Sequence, residues 1–221
     1  MADPLKLGVL ISGSGSNLQS IIDHIENGTL QADIKIVISN NPEAYGIKRA
    51  QQHGIPCKIL NHRNFPCRED FDYELIRILK IAQVDLIVLA GFMRILTPAV
   101  LQAFPQGIIN IHPALLPAFP GTHVQRKALD YGVKFSGCTV HFVDENVDAG
   151  PIIIQSVVPV LSDDTEESLA ARILKEEHRI YPRAIQLIAE KKIVITGRKV
   201  QIKDAEKITP TALYNPPLAG F

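Results

Sequence analysis

Leu7-Gly8-Val9-Leu10-Ile11-Ser12-Gly13-Ser14-Gly15-Ser16-Asn17-Leu18 is the stretch whose reading decides the architecture. A short apolar run ends on a turn rich in glycine and serine. Leu18, Ile21, Ile22 and Ile25 then follow at the spacing of one helix face. The segment reads as a buried strand, a tight turn and an amphipathic helix. Gly13 and Gly15 let the backbone approach an anion, and the free N–H groups of a helix start point at it. Ser14, Ser16 and Asn17 add side-chain donors. The turn suits a phosphate, although a tight turn with no ligand has the same composition.

A dinucleotide fingerprint requires a third glycine where Leu18 stands, and an acidic residue closing the second strand, where Ser39 and Asn40 stand. No Gly-Lys-Ser/Thr follows the turn, which excludes a nucleotide-triphosphate loop. A phosphate monoester is the better match.

Outward from this unit, Ile34 to Ser39 reads as a second strand. It is followed by the turn Asn40-Asn41-Pro42 and a helix through Ala50. Lys58 to Leu60 is a short third strand, Tyr73 to Ile81 a helix, and Leu86 to Ala90 and Gly107 to Ile111 two more strands. The alternation predicts an α/β fold, a Rossmann-like, mostly parallel twisted sheet with helices on both faces, binding ligands at the carboxyl ends of its strands. The C-terminal part is β-rich and antiparallel. Cys138 to Val143 and Ile152 to Val160 flank the polar stretch Asp144 to Gly150. A helix from Asp164 to Lys191 follows, interrupted near Pro182, with Asp163, Asp164 and Thr165 as cap candidates and Glu166 and Glu167 in its first turn. Ile193 to Ile195 and Lys199 to Ile202 read as a terminal hairpin. No linker divides the chain, so residues 1–221 read as one domain with a core at 5–194. The tail at 205–221, which carries Pro210, Pro216 and Pro217, is expected to be poorly ordered.

The 23 basic and 23 acidic residues among 221 cancel, so no long-range field favours nucleic acid or an anionic membrane. Any anion must be held locally. The three cysteines, Cys57, Cys67 and Cys138, lack metal or redox spacing and read as reduced thiols of a cytoplasmic protein. The N-terminus has neither signal-peptide nor membrane-span character. His112 and His141 have no third partner at recognisable spacing, so no metal is expected.

In Ile108-Ile109-Asn110-Ile111-His112-Pro113, strand alternation sends Asn110 and His112 to one face. They stand either as ligand-facing groups or as satisfied residues of a strand end. The irregular apolar loop Ala114-Leu115-Leu116-Pro117-Ala118-Phe119-Pro120-Gly121 suits a shaped binding wall. Asp148, in Asp148-Ala149-Gly150-Pro151, either rigidifies its own turn or brings a carboxylate against His112; spacing leaves both open.

Four motifs in this order carry a resemblance. They are Leu10 to Leu18; Leu89-Ala90-Gly91-Phe92-Met93-Arg94-Ile95-Leu96; Asn110-Ile111-His112-Pro113 with Leu115-Leu116-Pro117; and His141-Phe142-Val143 with Asp148-Ala149-Gly150-Pro151. From about Leu5 to Val194 the chain resembles the folate-dependent phosphoribosylglycinamide formyltransferases. The resemblance implies formyl transfer from 10-formyltetrahydrofolate, as co-substrate, to glycinamide ribonucleotide in de novo purine synthesis. It implies no tightly bound cofactor, and a monomer or homodimer.

It further implies Asn110, His112 and Asp148 as catalytic residues, and the ribonucleotide on Gly13, Gly15, Ser16, Asn17, Pro113 and Glu177. The folate would lie on Arg68, Met93, Arg94, Ile95, Leu96, Asn110, Val143, Asp144 and Asp148. It implies a cis Leu116–Pro117 bond. Read alone, Glu177 is a solvated helix residue. Methionyl-tRNA formyltransferases and formyltetrahydrofolate hydrolases share the core. The former would need an RNA-binding domain and a basic surface, the latter an added N-terminal domain.

Overall fold

The computed structural model describes residues 3–205 together with 213 and 215. The parallel part of the sheet comprises β1 (Leu5–Ile11), β2 (Ala32–Ser39), β3 (Cys57–Ile59), β4 (Leu86–Leu89) and β5 (Ile108–His112). β6 (Phe135–Phe142) and β7 (Ile152–Pro159) complete it antiparallel, in the order β3-β2-β1-β4-β5-β6-β7. β8 (Ile193–Thr196) and β9 (Lys199–Ile202) form the separate terminal hairpin. The order reverses direction between β1 and β4, the crevice where sheets of this kind hold ligands.

Alternation along β1 explains the two cores. Leu7, Val9 and Ile11 join the core shared with α1 (Ser16–Glu26) and α6 (Glu166–Ala189). Leu10, Ile38 and Ile87 join Phe71, Leu75 and Leu79 of α3 (Arg68–Ile81) on the other face. Gly8 faces α3 because a Cβ there would stand 2.6 Å from Leu79 Cδ2. Cys57, Cys67 and Cys138 form no disulfide. Burial pushes the Cys138 thiol up to about 12, leaving it protonated and inert.

Several boundaries differ from the sequence expectation. α3 begins at Arg68 rather than Tyr73, because Phe71 and Asp72 are buried and Asp72 accepts from Thr97 N. The third strand is Cys57–Ile59, β5 runs on to His112, and β6 starts earlier, at Phe135. α2 (Tyr45–Gln52) is the helix expected through Ala50. α4 (Pro98–Ala103) and α5 (Val124–Tyr131) are additional to the elements that the sequence pattern predicts. Most of the 205–221 tail lies outside the described residues.

The expected interruption of α6 does not occur. Pro182 removes the N–H that would bond to His178 O four residues back. Ser20 Oγ of α1 donates to that carbonyl at 2.8 Å, so the helix continues through the proline with the acceptor satisfied. Thr165 caps α6 through a reciprocal box with Ser168, and Asp164 holds Arg172 by two bonds at 2.7 and 2.8 Å.

The Ser20 bond should show a conditional cost. Ser20→Ala orphans a part-buried carbonyl and is expected to lower unfolding free energy by about 1 kcal/mol. In a Pro182→Ala background the helix N–H returns and the same substitution should cost markedly less. Urea unfolding of the four proteins in this cycle measures the coupling, and equal costs in both backgrounds would exclude it.

Candidate functional site

The antiparallel register of β5 and β6 builds the site. Asn110 lies opposite His141, and His112 opposite Thr139. Opposed residues share a face, so one carboxamide and two imidazoles converge there. These groups line a cleft of about 790 Å³. Its other walls come from the segment after β4 (93–96) and the loops at 121–125 and 143–148.

Asp148 arrives on the loop between β6 and β7 with φ +52°, a left-handed conformation uncommon for a non-glycine residue. Its Oδ2 stands 3.4 Å from His112 Nδ1 and accepts from Gly121 N at 2.8 Å, while Oδ1 is 3.8 Å from His141 Nε2. The carboxylate therefore stands against His112 as well as bracing its own loop. It also ties the 143–150 loop to the proline-rich loop, whose Leu116–Pro117 bond is cis.

The imidazole roles follow from their partners. A carbonyl only accepts, so His141 Nδ1, 2.9 Å from Phe142 O, carries a proton. Burial lowers the pKa of His141, against opposing contributions from the Phe142 bond and Asp148, so the neutral ring leaves Nε2 as an acceptor. Nε2 takes a hydrogen bond from Asn110 Nδ2 at 3.3 Å, which fixes the amide orientation and leaves the second Nδ2 proton for the cleft. His112 Nε2 donates to Phe119 O at 2.9 Å by the same logic.

A second cavity, about 200 Å³, is lined by Ser12 to Asn17 with Ala90, Gly91 and Met93. Gly91 and Met93 also line the larger cleft, so the two spaces share a wall. Gly15 caps α1 at φ +70° and abuts Gly46 of α2; a Cβ on Gly15 would stand 2.5 Å from Gly46 Cα. Asn17, 8% exposed, donates to Glu177 Oε2 at 2.7 Å, and its Oδ1 has no partner among the described residues. Burial raises the Glu177 pKa, opposed by the Asn17 bond.

Met93, Arg94, Ile95, Leu96, Pro113, Val143 and Asp144 thus line the large cleft with Asn110, His112 and Asp148. Gly13, Gly15, Ser16 and Asn17 line the small one. Arg68 lines neither; it is exposed and donates to Ile95 O at 2.7 Å, behind the cleft wall. Glu177 is buried beneath the glycine turn, correcting its reading as a solvated residue. His141 has the role that sequence reasoning missed. Its signal was the strand pattern of Cys138 to Val143, but only the pairing register shows that it faces Asn110. Among the described residues no group of three or more His, Cys, Asp or Glu is placed to hold a metal, and no helix is long and apolar enough to cross a membrane.

Comparison with known proteins gives a consistent result. The formyl transferase family profile matches residues 5–185. The chain is 52% identical over 185 residues to the trifunctional purine biosynthetic protein adenosine-3 of Drosophila melanogaster, covering 83% of this chain and 14% of that protein. It thus spans only a small part of those longer relatives. It is 43% identical over 206 residues to the phosphoribosylglycinamide formyltransferase of Escherichia coli (strain K12), covering 93% of this chain and 97% of that one. The crystal structure of glycinamide ribonucleotide transformylase 1 from Symbiobacterium toebii matches with a TM-score of 0.91 at 51% identity, over 92% and 96% of the two chains.

Because burial holds His141 neutral, its ring should gain a second proton only below the ordinary histidine value of about 6.5. The unfolded chain binds that proton first, so this group withdraws stability as pH falls below about 6.5. A nitrogen-detected NMR titration should show an Nδ1–H tautomer at neutral pH. A midpoint at or above about 6.5 would contradict the assignment.

Proposed function

This chain belongs to the formyl transferase family, and we infer that it moves a formyl group from 10-formyltetrahydrofolate to the amine of glycinamide ribonucleotide in purine biosynthesis. Family membership and the names of its full-length relatives support the reaction. The observation that carries the reading is the meeting of Asn110, His112, His141 and Asp148 in the large cleft, whose wall is shared with the glycine-lined cavity.

In this reading the ribonucleotide phosphate occupies the Ser12–Asn17 cavity, and its glycinamide amine reaches into the cleft past Gly91 and Met93. Glu177 acts from beneath, holding Asn17 in place. The folate occupies the larger cleft. Met93 and Ile95, large apolar side chains exposed at its wall, provide surface for a flat heterocycle. Arg68, an exposed cation behind Ile95, suits the carboxylates of the folate tail.

The amine nitrogen attacks the formyl carbon and forms the new C–N bond. The carbonyl electrons move to oxygen, giving a tetrahedral oxyanion, and its collapse expels the folate nitrogen, which takes up a proton. No covalent enzyme intermediate is needed. Asn110 Nδ2, oriented by His141, offers its remaining proton to the oxyanion. His112 contributes when its Nε2–H exchanges the Phe119 carbonyl for the oxyanion, a stronger acceptor. Asp148 balances the imidazolium form of His112 and accepts, through water, the proton shed by the amine. The chemistry calls on no metal and no tightly held cofactor.

Asn110→Ala and Asp148→Asn should each lower kcat by about 10²–10³ while ribonucleotide binding, measured by calorimetry, persists. Spectroscopic release of tetrahydrofolate should depend on added ribonucleotide. Formyl loss at the same rate without that acceptor, or near-native turnover by Asp148→Asn, would overturn the reading.

A further inference from the structure

Three consecutive carbonyls of the glycine turn are held from behind. Ser12 O accepts from Asn41 Nδ2 at 3.2 Å, Gly13 O from Gly46 N at 3.1 Å, and Ser14 O from Arg49 Nε at 3.0 Å. All three donors belong to the segment that follows β2. In a trans peptide the C=O of one residue and the N–H of the next point in opposite directions. Fixing these carbonyls toward α2 therefore turns the N–H groups of Gly13, Ser14 and Gly15 to the other side of the turn. None of the described residues accepts from those three N–H groups, and the cavity lined by Ser12 to Asn17 lies along the turn. Consecutive N–H groups presented together form an anion nest. The unpartnered Oδ1 of Asn17, in a side chain more than nine-tenths buried at the same cavity, independently marks a ligand-facing surface.

Gly46 contributes only a backbone N–H, and Asn41 a single neutral amide. Arg49 differs because its position is itself over-determined. Besides Ser14 O, its guanidinium donates from Nη1 to Gln19 Oε1 at 3.3 Å and lies 5.0 Å from the Tyr45 ring centroid. Gln19 Nε2 is in turn 2.9 Å from Asp23 Oδ1 and 3.1 Å from His53 Nε2, and His53 Nδ1 is 2.6 Å from Glu26 Oε1. Yet Arg49 is not among the residues lining the cavity. It reaches an anion only through the peptide it orients.

We propose that Arg49 is a positioning residue of the phosphate site: by binding Ser14 O it aims the Gly15 N–H, and with it the nest, at the phosphate of the acceptor. This rests on the reading of the turn given under the proposed function, and it adds a residue to which that reading gives no part. What matters is the planar, two-edged fork that bonds Ser14 O and Gln19 together, which a lysine ammonium cannot reproduce.

The test uses the full chain as wild type, Arg49→Lys and Arg49→Met. Binding of ribose 5-phosphate is followed by the amide shifts of Gly13, Ser14 and Gly15, and formyl transfer by KM and kcat for each substrate. Both variants are expected to weaken ribose 5-phosphate binding and raise the acceptor KM on the order of ten-fold, the scale of one charge-assisted hydrogen bond. They should leave kcat and the folate KM nearly unchanged. An acceptor lacking the phosphate should show no difference between wild type and variants, which a general structural defect would not produce. If Arg49→Lys retains wild-type affinity while Arg49→Met loses it, charge rather than peptide orientation is responsible and the proposal falls. Wild-type affinity in both variants overturns it as well, leaving the phosphate site standing. If the wild type itself shows no shifts at Gly13 to Gly15 with ribose 5-phosphate, both the phosphate assignment and this proposal fail.

Discussion

The pairing register of β5 with β6 is the constraint on which the site depends. Side chains alternate across a strand, so a slip of one residue would send His141 to the opposite face and leave Asn110 without the acceptor that orients it. Close packing and polar satisfaction both hold the register. A Cβ on Gly137 would stand 1.9 Å from Ser156 O of β7, so only glycine permits that approach. Thr139, fully buried opposite His112, donates to Ala114 O at 2.7 Å and accepts from Leu116 N and Gln155 Nε2. The same residue that fixes the strand therefore also anchors the loop walling the cleft.

Asp148 has the complementary task of closing the arrangement from a distant point in the chain. Its turn is compact because Gly150 presses on Phe142 O, where a Cβ would stand 1.8 Å away. One carboxylate then faces two imidazoles and a backbone N–H. The two rings are not equivalent. Burial holds His141 neutral as an acceptor for Asn110, whereas His112 presents Nδ1 to the nearer carboxylate oxygen. On the proposed mechanism this divides labour between a ring that positions and a ring that carries charge.

Legibility in the sequence followed how locally each feature is encoded. The strand–turn–helix at Leu7 to Ile25 was readable because periodicity and turn chemistry lie within twenty residues or so. Asn110 and His112 were readable as a pair because strand alternation is local. The meeting with Asp148 was not, since it depends on tertiary closure. α4 is too short to show a period. Pro182 reads as a break because the donor that satisfies His178 O comes from Ser20, about 160 residues earlier in the chain. Glu177 looked solvated because a charged residue in a helix usually is; its partner Asn17 belongs to the opposite end of the chain. Arg49 carries no motif, and the part proposed for it rests on the direction of three carbonyls.

Ser12 joins the glycine turn to the wall of the large cleft. Its N–H donates to Gly91 O, and its hydroxyl accepts from Met93 N at 2.8 Å while donating to Asn40 Oδ1. The residue that opens the glycine turn is therefore bonded to the wall shared by both cavities, and Asn40 extends the link to the end of β2. A direct transfer between two bound molecules gains most when the protein fixes their separation, because reacting atoms held in near-attack geometry need no further search. On the proposed reading that separation is set by Ser12, Gly91 and Met93, not by the catalytic groups. The backbone and hydroxyl hydrogen bonds of this junction would then position one substrate relative to the other, while Asn110, His112 and Asp148 serve the transition state that forms between them.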